Sequence, residues 1–275
     1  VTQPAIDSNP STDPGTAIHS VPTPVRHHHP HHGNEGILPA VQSLFAIMVT
    51  AIFIITFIIQ PFRIPSGSME PTLLVGDFLL VNKQITTPGV SGWIFPAPRI
   101  HRGEVVVFHY PVNPTMHLVK RVVGLPGDRI KLRDGRVYVD DNPLSEPYAV
   151  YRPSAPDGYR DNFPRLQSTD PDVDSRWWIK MHTLIHDGEL TIPPDSYFVL
   201  GDNRNDSEDS RYWGFVPRNA IVGEPLLIYF SLQQPAASEI AMTRSSHALV
   251  LHRRSSAVDA LADFARWDRT FQIVK

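Results

Sequence analysis

Residues 37–59 read ILPAVQSLFAIMVTAIFIITFII, an apolar run with no charge and with polarity confined to Gln42, Ser43 and scattered threonines. About 20 such residues cross a bilayer core at 1.5 Å each, so the run predicts one membrane-spanning helix over 37–60. A cleaved signal peptide would have a shorter apolar stretch nearer the start, without a 36-residue polar preface. No second run of this kind follows, which predicts a single-pass anchor. Charge does not orient it: the preceding tail sets Arg26 against Asp7, Asp13 and Glu35, a weak signal by the positive-inside rule.

Beyond the anchor the period changes. Short β-branched runs at 77–82 (DFLLVN), 104–110, 118–124 (LVKRVVG), 129–132 and 136–139 alternate with turn signals such as LPGD at 125–128 and Asp134-Gly135. Strand character returns at 189–192, 197–200 and 220–230. The fold class predicted is a mainly β, antiparallel domain over 61–235, built from hairpins and preceded by one transmembrane helix. Between about 141 and 187, six prolines break up a polar, aromatic-bearing stretch, which reads as an inserted cap with Trp177 and Trp178 packed beneath it. Residues 1–36 are Pro-, Thr- and His-rich without periodicity and read as a disordered tail. Its RHHHPHHGNEG segment is either a set of imidazole ligands or solvated low-complexity chain. The extension at 236–275 predicts an amphipathic helix around 257–267, either resting on lipid headgroups through its arginines or packed on the domain.

With 275 residues and 41% hydrophobic content the chain can bury a substantial core. The net charge of −3, with both signs spread along the chain, argues against a nucleic-acid partner. The absence of cysteine excludes disulfides and thiolate metal sites.

Three stretches bear chemistry. On a strand, Leu118, Lys120 and Val122 share one face and Val119, Arg121 and Val123 the other, so Lys120 sits in an apolar row. Burial disfavours the ammonium form, and a lysine brought to a pKa of roughly 7–8 can serve as a general base; the alternative is a lysine that snorkels to solvent. Ser66 and Ser68 lie between Pro65 and Pro71, with Gly67 allowing close backbone approach; this suits a nucleophile or a plain turn. The run GDNRNDSEDSRYWGFVP at 201–217 lacks the alternation of a calcium loop. It offers Asp209 with Arg211, or Asp202 with Arg204, as charge-assisted pairs beside a site. Neither a G-x-S-x-G elbow nor an H-E-x-x-H motif occurs.

Taken together, PSGSMEPTLLVGD, KRVVGLPGD and GDNRNDSEDSRYWGFVP, in that order behind a membrane anchor, closely resemble bacterial type I signal peptidases over residues 60–139 and 197–230. The resemblance implies a Ser/Lys endopeptidase needing no metal or organic cofactor. Ser68 would be the nucleophile and Lys120 the general base. The Ser66 hydroxyl and the Ser68 N–H would form the oxyanion hole. Ser207 would orient the Lys120 amine, with Asp209 and Arg211 as a structural pair beside it. Phe62, Ile64, Pro65, Met69, Leu118 and Val119 would line substrate pockets. The implied partners are preprotein signal peptides with an Ala-x-Ala-like site, the lipid bilayer and the secretion translocon. The implied location is the cytoplasmic membrane, with the catalytic domain outside. One departure stands out: the family's usual GDNRDNS has Asn205 and Asp206 in swapped order here. Self-cleaving repressors also use Ser/Lys dyads, but they are soluble and regulate transcription. A tethered β domain that merely binds exported chains is the non-enzymatic alternative.

Overall fold

The computed structural model of the chain describes residues 37–57, 59–83, 99–166, 170–233 and 264–274. The His-rich tail and most of the helix expected around 257–267 lie outside them.

Helix α1, Ile37–Phe57, is charge-free and 21 residues long. Its described side chains are exposed; those at 54, 55 and 57 are outside the description. Among the described residues no helix is long and apolar enough to cross a membrane. The helix also ends short of the expected boundary at 60, and Ile59 and Gln60 open strand β1, Ile59–Arg63. Proline is the physical reason: Pro61 has no N–H for a helix, and it pushes the preceding Gln60 to extended backbone.

The remaining strands are β2 (Asp77–Asn82), β3 (Val105–His109), β4 (His117–Gly124), β5 (Arg129–Arg133), β6 (Arg136–Val139), β7 (Asn142–Pro143), β8 (Ile185–His186), β9 (Glu189–Thr191), β10 (Ser196–Leu200), β11 (Val216–Pro217), β12 (Ile221–Ser231) and β13 (Gln272–Ile273). The expected strands at 77–82 and 136–139 form at those bounds. The others shift by a single residue at one or both ends. An antiparallel sheet runs β1-β2-β12-β3-β4-β10-β11, with β13 added on β12. A second antiparallel sheet runs β7-β6-β5-β9-β8. The β5–β6 hairpin turns at Asp134 and Gly135, both at positive φ (49° and 77°), the conformation that tight two-residue hairpins require and Asp-Gly supplies.

Two apolar clusters hold the domain. One gathers Ile64, Met69, Leu73, Leu79, Val81, Val105, Val107 and Ile228. The larger contains Phe108, Val122, Phe198, Leu200 and Val216, together with Tyr159, Phe163, Trp177 and Met181 from the insertion. The insertion carries α2, Gly158–Asp161, and α3, Ser175–His182, capped by the Asp157 and Asp174 side chains. Trp177 is buried and Trp178 half-buried, and Trp177 Nε1 donates to the carbonyl of Arg211 at 3.1 Å. At the other end of the chain, Arg269 Nη2 donates to buried Asp77 (2.6 Å) and to the Thr72 carbonyl (3.0 Å). Arg266 Nε donates to Ser231 Oγ at 2.9 Å.

Candidate active site

Strand β4 carries Lys120 opposite Val106 of β3, and the alternation that set Lys120 apart from Arg121 holds in space. Lys120 is 4% exposed, and its Nζ lies 2.6 Å from Ser68 Oγ. Burial lowers the ammonium pKa to about 8; the Asp209 carboxylate opposes that shift and the Arg211 guanidinium adds to it. Ser68 lies in a single 3-10 turn, Gly67–Met69, entered from an extended Ser66. Met69 anchors that turn in the core beside Leu73.

The 201–211 box holds the turn from the other side. The Asn203 N–H donates to the Ser68 carbonyl at 3.1 Å and its Nδ2 to the Gly67 carbonyl at 3.2 Å. Gly201 makes this approach possible: a Cβ there would stand 2.4 Å from the Ser68 carbonyl oxygen and 2.3 Å from Ser207 Oγ, so no other residue fits. Asp209 accepts from Gly201 N (3.2 Å), Ser207 Oγ (2.8 Å) and both Nε and Nη2 of Arg211 (2.8 Å each). Burial pushes its carboxyl up, but Arg211, with Lys120 and the Ser207 hydroxyl, holds it below the usual range. The Arg211 Nη2 also donates to the Arg204 carbonyl at 2.9 Å, which braces the loop from within.

The site residues predicted from sequence fall as follows. Ser66 is exposed, with Oγ 3.5 Å from Ser68 Oγ. Ser207 is buried next to the dyad, but its hydroxyl donates to Asp209 and not to Lys120 among the described residues; the carboxylate is the stronger acceptor. Asp209 and Arg211 pair as expected. Asp202 and Arg204 do not pair with each other. Asp202 takes a bidentate pair from Arg121 at 2.8 and 2.7 Å, with Tyr148 stacked 4.0 Å from the guanidinium. Arg204 instead forks onto Glu146 of the insertion. Both guanidiniums are buried and face different elements, so nearness in sequence misleads. Ile64 and Met69 are core residues, with Phe62 and Val119 packed against the same cluster. Leu118 packs against the larger cluster, and Pro65 is exposed. Ile64 is not in a named strand, yet it continues the β1–β2 ladder through Ile64 N to Asp77 O (2.9 Å) and Gly76 N to Ile64 O (3.0 Å).

Sequence reasoning missed Asn203, Thr72 and Glu146. Thr72 donates to Asp202 at 2.5 Å. Gly201 and Asn203 open the quoted acidic box, but only the fold reveals which backbone they press against. No cluster of three or more His, Asp or Glu able to hold a metal ion occurs among the described residues.

With this geometry in hand, comparison with known proteins is direct. The signal peptidase family, peptidase S26, matches residues 37–230. The chain is 35% identical over 216 residues to signal peptidase I of Pseudomonas aeruginosa, covering 72% of this chain and 74% of that protein. It is 33% identical over 213 residues to signal peptidase I of Pseudomonas fluorescens, covering 72% and 74%. Signal peptidase I of Aquifex aeolicus is 32% identical over 236 residues, covering 71% and 85%. A buried lysine beside a serine in a clamped turn, on a chain this similar to those relatives, supports one conclusion: the chain belongs to the signal peptidase family, peptidase S26.

Proposed function

We propose that the protein is a membrane-anchored serine endopeptidase that removes N-terminal signal peptides from exported preproteins. The observation that carries this reading is the 2.6 Å approach of the Lys120 amine to the Ser68 hydroxyl inside a nearly dry environment. A serine is a weak nucleophile until a neighbouring base takes its proton. With its pKa lowered to about 8, Lys120 is neutral in an appreciable fraction of molecules near that pH and serves as the base.

The substrate lies extended against the ladder that runs from β1 through Ile64, by strand addition. Small pockets near Phe62, Ile64, Met69, Leu118 and Val119 select an Ala-x-Ala-like pattern, with Pro65 stiffening the approach. Ser68 Oγ attacks the scissile carbonyl while Lys120 takes its proton. The Ser66 hydroxyl and Ser68 N–H stabilise the oxyanion, and Lys120 passes its proton to the leaving amine. Lys120 then activates water to hydrolyse the acyl-enzyme. Every proton transfer has a donor and an acceptor within the dyad and water, so no metal or organic cofactor is invoked. Asp209, with Ser207 and Arg211, positions the loop around the amine.

The charge-free run from residue 37 onward supports a single membrane anchor. Ser68 lies nine residues beyond Ile59, at most about 30 Å of extended chain, which keeps the nucleophile near the bilayer surface where a signal peptide presents its cleavage site. The catalytic domain then faces the outside of the cytoplasmic membrane, in reach of chains leaving the secretion translocon. The test is incubation of the purified protein with a synthetic precursor and sequencing of the new N-terminus. Cleavage after the Ala-x-Ala site, lost in Ser68→Ala, is expected; full activity of Ser68→Ala overturns the proposal.

A further inference from the structure

We infer that His109 and His117 form a two-imidazole binding site for a divalent transition metal of the copper(II) or nickel(II) class. The two residues are directly opposed on β3 and β4. The Tyr110 N–H donates to the Met116 carbonyl at 2.9 Å, which makes 110–116 a hydrogen-bonded pair and, by alternation, 109–117 a non-hydrogen-bonded one. Side chains stand closest at such pairs, and the ring centres are 4.4 Å apart. With metal–nitrogen bonds of about 2.1 Å, a shared ion lies about 3.2 Å from each ring centre, so centres 4.4 Å apart subtend about 85° at the ion. That angle suits adjacent positions of a tetragonal or octahedral ion better than the tetrahedral preference of zinc.

The tautomer of His109 already suits a ligand. Its Nδ1 lies 2.9 Å from the Pro114 carbonyl; donation there leaves Nε2 free to bind, and ligating histidines habitually donate their second ring N–H to such an acceptor. His117 is exposed, so an ion can reach the pair from solvent. Two protein ligands leave the remaining positions to water. The location gives the site a consequence, which rests on the proposed peptidase function. His117 shares a face of β4 with Val119, and its ring meets Phe62 edge-on at 5.2 Å. Phe62 and Val119 are assigned to the substrate path, so an ion held at this pair stands beside that path and slows cleavage.

The experiment is a calorimetric titration of nickel(II) chloride into the full chain in detergent, with tail residues His27, His28, His29, His31 and His32 changed to Ala so that the tail does not compete. One equivalent is expected to bind, with affinity falling by about a hundredfold in His109→Ala and in His117→Ala as the chelate is lost. Melting curves establish that each variant is folded. Unchanged affinity in either variant overturns the site. A parallel precursor-cleavage assay compares each protein with and without saturating nickel. Inhibition of the parent and none in the two variants is expected, and binding without inhibition overturns the placement beside the substrate path. Absence of cleavage in the metal-free parent would count against the peptidase reading and leave the binding result intact.

Discussion

Lys120 and Arg121 are neighbours on one strand, both almost completely buried, and they meet opposite fates. Arg121 points to a face where Asp202 is aimed at it with two hydrogen bonds and Tyr148 covers the guanidinium. Lys120 points to a face where its hydrogen-bond partner is a hydroxyl, and the carboxylate that acts on it most strongly, Asp209, is already engaged by Arg211, Ser207 and Gly201. Arginine is charged whatever surrounds it, so a buried one needs a carboxylate of its own to offset the burial. A buried lysine whose neighbouring carboxylate is committed elsewhere gives up its proton with comparative ease, which is what a general base must do. The acidic box thus works on both sides of β4: Asp202 secures Arg121, and Asp209 acts on Lys120 without binding it directly.

The sharpest way to break this contrast is to give Lys120 the chemistry of its neighbour. Arginine stays protonated at any working pH, so Lys120→Arg should cut precursor cleavage by at least about a thousandfold even when the variant is folded. Steady-state cleavage across pH tests the same point in the parent: the rate should climb with pH through an apparent pKa of about 8. A flat profile between pH 6 and 10 would remove Lys120 as the base.

Breaking the structural pair comes next. Arg121→Met leaves Asp202 charged, buried and unanswered except by Thr72, and should cost about 3–5 kcal/mol in urea unfolding. The paired change Arg121→Met with Asp202→Leu should recover much of that loss, because no buried charge remains. If the double variant is as unstable as the single one, the pair does more than neutralise charge.

Lys120 itself should behave in the opposite way. Its folded pKa, about 8, lies below the ordinary 10.5, so the unfolded chain binds more protons between these values and stability rises with pH across that window. Below about pH 8 the lysine carries its full cost, about 3 kcal/mol for a shift of this size. Lys120→Met should therefore be more stable than the parent at pH 7, and its advantage should fade toward pH 10.5. A stability difference independent of pH would mean that desolvation does not set the pKa of this amine.

Much of this was legible in the chain because it rests on periodicity and on residue type. Alternation along 118–124 foretold that Lys120 and Arg121 part, and the β-branched runs marked β2–β6, β9, β10 and β12 to within a residue at each end, while the short strands β7, β8, β11 and β13 carry no such run. Partner choice was not legible. Asp202 and Arg204 look like a pair in sequence, yet their partners, Arg121 and Glu146, come from distant elements that only the folded sheet and insertion bring near. The Ser207 hydroxyl went to Asp209, the stronger acceptor, which the fold brings within reach and spacing does not reveal. The start of β1 was hidden for a different reason: the apolar run continues through Ile59 without a break in composition, and only Pro61 signals that a helix cannot continue.

The smallest effect should come where the same box reaches solvent, at the swapped Asn205. Its Nδ2 donates to the Arg152 carbonyl at 2.7 Å and to Ser154 Oγ at 3.0 Å, on the loop whose Arg152 also pairs with Glu70 beside the Ser68 turn. Asn205→Asp replaces that donor by a second acceptor and adds a negative charge. Because the site is exposed and the groups can turn to water, the loss should stay below about 1 kcal/mol. The informative measurement is the midpoint of the pH–rate profile. The groups acting on Lys120 after burial are Asp209, Arg211, Glu208 and Asp202; a new charge at a solvated position is screened and should leave the midpoint near 8. A clear upward shift would show that distant surface charge, and not the dry face of β4, decides when the base is free, and the distinction between Lys120 and Arg121 would then have to be rebuilt on long-range electrostatics.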